Sequence, residues 1–406
     1  MGSVRRLILA LAVCAPAVGR AQQADTAAFY RALQLEGDGK FREAAALYRA
    51  ALHTAMRVNA LLGLERSYAE LRWTDSLLAP LDSLIAASPT ETVYRTVQLR
   101  AYSMLGRDAD VRRSFDAWTV ADPKAPDPYR EYARILLQAN RPASADSIIQ
   151  RAKAQLGTTA GLQFELAQSR AAMGQWESSA VAWRAALVAN PDLDQAAAFA
   201  LAPTSAAMRP AVRATLLSLP VDVGARRALA ILETSWGAPS EGWRALKDLS
   251  PDSASAAAWL DFAQRAEADE RWALARDALV AALKWKPTPV LSLRAATAAL
   301  NAGDPQTALA LAPVGGFDSA RVAATVLPVR VRALASYGRP AEAEQLIQAY
   351  ASMLSPAARA PLERMVAFGW VRAGELGRAR ASLRAAGPEA DSSDAAGWLA
   401  LYDLGG

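Results

Sequence analysis

Gln163–Pro191 reads QFELAQSRAAMGQWESSAVAWRAALVANP, and this stretch decides the fold. Two apolar-periodic runs meet at Gly174-Gln175-Trp176, and the second stops at Asn190-Pro191. Apolar residues at helical spacing on either side of a glycine turn describe two amphipathic helices folded back on one another. The Asn-Pro step closes the second helix, because the residue before a proline is pushed out of the α region.

Variants of this unit recur outward in both directions. The small residue near the start of the second run is Ser179. Its equivalents are Ala44, Ser76, Val111 and Ala145 before it, and Gly242, Ala275, Ala308, Ala343 and Ala379 after it. Neighbouring markers are 32, 35, 34, 34, 33, 33, 35 and 36 residues apart, except for one step of 63 between Ser179 and Gly242. That longer step is close to two units, so one divergent unit lies inside it. A small side chain at the marker lets the second helix approach the first closely. Three residues upstream stands an aromatic or a proline: Phe41, Trp73, Pro142, Trp176, Pro239, Trp272, Pro305, Pro340. Proline suits a first helical position, where its missing N–H costs nothing and its φ is preset. Glycine or asparagine just before it, as in Asn140-Arg141-Pro142 and Gly338-Arg339-Pro340, suits a helix end that needs positive φ.

A period of about 34 residues is that of the tetratricopeptide repeat, whose unit reads W-x2-L-G-x2-Y, then A-x3-F, then P. Here Trp259-x2-Phe262-Ala263-x2-Ala266 is followed by Ala275-x3-Leu279, Ala282 and Pro287. Leu166, Ala167, Ser179, Trp183, Ala186 and Pro191 match in the opening stretch. The chain thus resembles the tetratricopeptide-repeat (TPR) family. The resemblance implies an all-α fold, a right-handed α-solenoid of antiparallel helix pairs (a TPR-like superhelix) with a C-terminal capping helix. It also implies a concave groove, lined by the first helices, that binds peptide segments. The family's register puts Arg100, Arg134 and Arg332 at equivalent inward positions, with Arg130, Arg294, Arg364 and Arg372 beside them. Phe164, Gln168 and Phe368 fall on the same face, as do Glu131, Glu165, Asp261 and Glu267. Guanidinium forks suit carboxylates, so acidic peptide segments or C-termini are the expected ligand class. The lysine and asparagine clamp of the chaperone-tail-binding members is not reproduced.

The chain divides accordingly. Residues 1–21 read as a signal peptide, with Arg5 and Arg6 as the charged region, an apolar stretch too short to span a bilayer, and small residues before Gln22. Leu11-Ala12-Val13-Cys14 has only the outline of a lipobox, valine being a poor fit before the cysteine, so general export to the periplasm is the expectation. A TPR-like array over 22–193 is followed by a degenerate repeat or hinge over 194–222, where Pro203, Pro210 and Pro220 crowd together. A second array covers 223–390, with Pro313 to Phe317 as a longer loop inside it. Trp398, Leu401 and Tyr402 mark 391–406 as the capping helix and tail. No other segment reads as a transmembrane helix.

Composition narrows the chemistry. The 406 residues carry a formal charge of +5, and removing Arg5, Arg6 and Arg20 from the 45 basic residues leaves 42 against 40 acids. Such a balance gives no support to nucleic-acid binding. The single cysteine, Cys14, lies in the leader, which excludes a thiol nucleophile or a cysteine-ligated metal in the mature chain. With His53 the only histidine, a histidine-based metal or catalytic constellation is excluded too. No phosphate-loop, nucleophile-elbow or zinc-protease motif is present, and no cofactor is implied. Gly37-Asp38-Gly39 is read as a turn, Glu267, Asp269 and Glu270 as a solvated helix end, and His53 as a surface residue. Among the eleven tryptophans, Trp73, Trp176, Trp183, Trp259 and Trp272 fall on core positions of the repeat and Trp118 on that of a small core residue. Trp243 and Trp285 are less constrained. The expectation is a non-enzymatic scaffold of a bacterial envelope that recruits protein partners through its groove. The alternative is a solenoid binding glycan or lipid during envelope polysaccharide or outer-membrane assembly.

Overall fold

The computed structural model describes residues 26–313 and 315–386, so the signal peptide and the capping helix expected from the sequence lie outside the described residues. Everything described is helix and turn, with no strand. First helices are α1 (26–37), α3 (Arg57–Leu71), α5 (Thr92–Met104), α7 (Asp127–Gln138), α9 (Gln163–Ala172), α13 (Val223–Ser235), α15 (Ser253–Ala268), α17 (Pro289–Asn301), α20 (Leu327–Ser336) and α22 (Pro356–Arg372). Second helices are α2 (Phe41–Ala51), α4 (Leu78–Ala87), α6 (Asp108–Ala121), α8 (Pro142–Leu156), α10 (Trp176–Ala189), α14 (Pro239–Leu246), α16 (Trp272–Trp285), α18 (Pro305–Leu311), α21 (Pro340–Ala349) and α23 (Leu376–Ala386). The divergent unit holds two short helices, α11 (Asp194–Leu201) and α12 (Arg209–Leu217). A one-turn helix, α19 (Ser319–Arg321), runs through a π turn into α20. No helix among the described residues is long and apolar enough to cross a membrane.

The described chain forms two compact units. One holds residues up to Ala186 with Pro203–Val212, and the other holds Leu187–Ala202 with residues from Arg213 onward. Within each unit a second helix packs on its own first helix and on the next one, as α16 does with α15 and α17. First helices also touch first helices: α3 meets α5, α5 meets α7 and α7 meets α9, and likewise α13 meets α15 and α20 meets α22. This tandem packing of antiparallel pairs is an α-solenoid of TPR type.

One turn geometry makes every regular pair. Between first and second helix the chain places a single residue at positive φ: Gly39, Arg72, Gly106, Asn140, Gly174, Gly237, Glu270, Gly303, Gly338 and Gly374. Such φ values end a helix by satisfying its last carbonyls, and glycine reaches them without steric cost. Five residues after each stands the position that buries against the first helix. It holds Ala44, Val111, Ala145, Ser179, Ala275, Ala308, Ala343 and Ala379, all buried. Gly242 serves there too, where an added Cβ would stand 2.8 Å from the Ala230 carbonyl oxygen.

The second repeat corrects the sequence register. Five residues after Arg72 comes Leu77, which is fully buried, whereas Ser76 is exposed. The cause is local: the aromatic of this unit stands one residue after the turn residue Arg72, whereas Phe41, Trp176 and Trp272 stand two residues after theirs, so a count from Trp73 falls one short of Leu77. Trp73 therefore occupies the position directly after the turn residue, which is exposed in most of the other pairs too. Instead of entering the core, its ring stays 37 % exposed against Tyr68. Trp118, Trp183 and Trp259 are buried as the repeat register requires, while Trp285 is 48 % exposed and Trp243 packs on Phe262.

Candidate functional site

The first-helix face carries a ladder of ion pairs between consecutive repeats. In the N-terminal unit, Glu36 of α1 holds Arg66 of α3 at 2.5 Å, and Glu65 of α3 holds Arg100 of α5 at 2.6 Å. Arg134 of α7 stands 3.3 Å from Glu131 on its own helix and 3.4 Å from Glu165 of α9. In the C-terminal unit, Arg227 of α13 lies between Asp194 of α11 at 3.1 Å and Asp261 of α15 at 3.3 Å. Glu267 of α15 grips Arg294 of α17 at 2.6 Å, and Arg332 of α20 donates to Asn301 Oδ1 of α17 at 3.0 Å.

The ten groove candidates therefore fall into different settings. Arg100, Arg134 and Arg294 are half-exposed but already paired with carboxylates of the neighbouring repeat. Arg130 is paired with Asp127 and donates to the Gly161 carbonyl at 3.0 Å, which ties it to the next loop. Phe164 packs edge-to-face on buried Trp183, with ring centroids 5.3 Å apart, and Gln168 is half-buried one turn further along α9. On α22, Arg364, Phe368 and Arg372 follow one another at four-residue spacing, one above the other on a single face. Phe368 is 43 % exposed and Arg372 is exposed, with no acid paired to it among the described residues. The acids Glu131, Glu165, Asp261 and Glu267 do share the arginines' face, and that proximity is what neutralises them.

The electrostatics differ along the ladder. The Arg66 hydrogen bond and charge hold Glu36 below the usual carboxylate range despite its partial burial. Burial opposes the charge of Arg100, and the Glu65 hydrogen bond and charge outweigh it, leaving its pKa raised. Burial pushes Glu131 and Glu165 upward, and the nearby guanidiniums, Arg134 foremost, offset only part of the desolvation. One Glu131 oxygen, Oε1, is buried without a hydrogen-bond partner. A carboxyl raised in the folded state contributes stability below its unfolded pKa and loses it as pH rises through the folded value. Glu131→Gln is therefore expected to be no less stable than wild type at pH 7, with a gain on the order of 1 kcal/mol. That gain should shrink toward pH 4, where the native glutamate binds its proton. Thermal melts at both pH values check this, and a variant destabilised at pH 7 would show that the charge of Glu131 is instead well compensated.

Sequence reasoning missed two recesses. One, of about 490 Å³, lies among α15, α16 and α17 and is lined mainly by apolar groups, including Leu260, Trp285, Val290 and Leu291. Its only advance signal was the loosely constrained Trp285. The other, of about 560 Å³, lies on the second-helix side of the first repeats, between α2 and the chain around Trp73. Its signal was hidden by the register shift at Ser76. Among the described residues no group of three or more His, Cys, Asp or Glu side chains is placed to hold a metal ion.

No family model and no curated protein matches the chain. Solved structures that resemble it include a tetratricopeptide repeat protein from Parabacteroides merdae, 10 % identical, covering 94 % of this chain and 97 % of that one with a TM-score of 0.27. Yeast Tom70 is 10 % identical, with coverage of 94 % and 96 % and a TM-score of 0.24. The Cut9-Hcn1 hetero-tetramer of the APC/C is 12 % identical, with coverage of 92 % and 94 % and a TM-score of 0.32. TM-scores this low carry no argument of their own. The TPR-type fold rests on the ten regular pairs, their shared turn and their buried markers.

Proposed function

We propose that this chain is an exported, non-enzymatic scaffold of a bacterial envelope, which holds protein partners against its row of first helices. The leader-like residues 1–21 support export, and the direct stacking of first helix on first helix supports a face read by an extended or helical partner. The observation that carries the reading is the stripe on α22. There an exposed Phe368 stands between Arg364 and Arg372, offering an apolar anchor beside a cation that no carboxylate of the described chain pairs. Aromatic and arginine side chains of this kind dominate the energetics of protein interfaces.

The ladder refines the ligand class. An acidic partner would have to displace Glu65 or Glu267 to reach Arg100 or Arg294, whereas Arg332 and Arg372 are held by no carboxylate of the described chain. This supports a reading in which acidic partner segments dock toward α20 and α22. A face for glycan or lipid has less support, because Phe164, one of the two aromatics it relied on, packs on Trp183.

Phe368→Ala combined with Arg372→Glu removes the stripe without breaking a pair in the ladder. Affinity capture from the envelope fraction should lose the partner that wild type retains, with a drop of about 2 kcal/mol or more, roughly 30-fold in affinity. Equal recovery of the same partner by both proteins would sink the α22 assignment. The intact mass of protein recovered from the envelope should lack residues 1–21, and retention of Met1 would overturn the export reading.

A further inference from the structure

We propose a second binding site, on the second-helix side of the first repeats, that takes an acidic peptide segment carrying an aromatic side chain. It is independent of the first-helix face and of the α22 stripe.

The site follows from three facts about α2 and the chain after α3. Along α2, Arg42, Ala46, Arg49, Ala50 and His53 recur at offsets of four, seven, eight and eleven, which is one face of a helix continued into its last turn. Arg42, Arg49 and His53 are exposed, and Ala46 and Ala50 form a flat floor between them. Among the described residues, neither Arg49 nor His53 has an ion-pair or hydrogen-bond partner, and no carboxylate lines the recess. This contrasts with the first-helix face, where arginines meet acids of the next repeat.

The opposite wall is aromatic and already positioned. Trp73 directly follows the turn residue Arg72, a position exposed in most of the other pairs, so its indole stays at the surface, where Tyr68 meets it edge-on with centroids 6.0 Å apart. The Arg42 guanidinium lies 5.2 Å from the Trp73 ring centroid, so the cation and the ring border the same space. An aromatic at this turn position, where the other regular pairs carry a polar or charged residue or an alanine, is what builds this wall.

Charge and dimensions specify the occupant. Unopposed guanidinium groups select carboxylates, and the exposed indole selects a flat apolar group. From Arg42 to His53 the stripe runs roughly 15 Å at the helical rise, which is the reach of four or five extended residues. A short acidic stretch with one tyrosine or phenylalanine fits that length, with the ring against Trp73 and the carboxylates on Arg42 and Arg49.

The test uses the mature full-length chain and two synthetic hexapeptides in calorimetric titration, one of glutamates with a single central tyrosine and the other with serine in its place. Wild type should bind the tyrosine peptide more tightly than the serine peptide. Arg42→Glu with Arg49→Glu, both on the surface, should weaken both peptides by about tenfold or more. Trp73→Ala should bind the two peptides equally. Phe368→Ala with Arg372→Glu should leave both titrations unchanged. The proposal is overturned if wild type binds neither peptide, if the charge reversal leaves binding intact, or if Trp73→Ala keeps the tyrosine preference. Helical circular dichroism of each variant, expected to equal that of wild type, separates these results from misfolding.

Discussion

Trp259→Ala is expected to destabilise the C-terminal unit by about 3–5 kcal/mol, the range for emptying a fully buried large aromatic site. Its indole is fully buried among Phe262, Ala263, Ala275 and Leu279, and its Nε1 donates to the Leu246 carbonyl at 2.9 Å. The alanine would leave a cavity and remove one of the two hydrogen bonds that the Leu246 carbonyl accepts, the other coming from the Leu249 N–H at 3.1 Å. In a solenoid each repeat contacts only its neighbours, so the loss should be felt locally. Denaturant unfolding is then expected to split, with an early phase from the C-terminal unit and a later one at the wild-type midpoint. Trp183 supplies the control. It is equally buried, but its Nε1 has no hydrogen-bond partner. Trp259→Phe should cost about 1 kcal/mol more than Trp183→Phe, because it removes a buried hydrogen bond to the Leu246 oxygen, which keeps only the Leu249 N–H. If the two phenylalanine variants proved equally stable, the hydrogen bond would have no part in holding α14 to α15.

These two tryptophans also show which features the sequence disclosed. Both sit at their motif positions, and burial by register followed directly from helical periodicity, as did the turns at Asn140, Gly174 and Gly338. The error at Ser76 had a physical origin. Trp73 stands one residue after the turn, not two, so a count from Trp73 as the usual aromatic landed one residue short of Leu77. Arg72 and Glu270 at positive φ were equally hidden, because such a residue is recognisable in sequence only when it is glycine or asparagine. The ladder lay halfway between. The sequence placed Arg100, Arg134 and Arg294 on one face together with Glu131, Glu165 and Glu267. Which arginine met which acid depended on how far the next repeat is displaced along the helix axis. That displacement is set by packing across the whole pair, so an apparently open row of arginines became a largely self-neutralised one.

The divergent unit yields the other large effect. Residues 194–222 lack the repeat's turn and markers, so the packing that fixes other helices does not explain what fixes α12. Within the C-terminal unit the answer is Arg213, whose Nε and Nη2 grip the two oxygens of Glu233 on α13 at 2.5 and 2.9 Å. Glu233 is almost fully buried, whereas Arg213 is about one-third exposed. Arg213→Met would therefore leave a buried carboxylate without its counter-charge, a change that typically costs 3–5 kcal/mol. Because water can reach the vacated guanidinium position, about 2–3 kcal/mol is the expected loss here. Arg213→Met combined with Glu233→Leu should recover most of it, since an apolar pair of similar volume avoids the desolvation that the ion pair has to offset. The readout is limited proteolysis together with denaturant unfolding. In Arg213→Met, cleavage should appear early in the segments flanking α12, at residues 202–208 and 218–222, while the double variant resists as wild type does. A single variant cut no faster than wild type would mean that the apolar contacts of buried Leu216 hold this part of α12 without the ion pair.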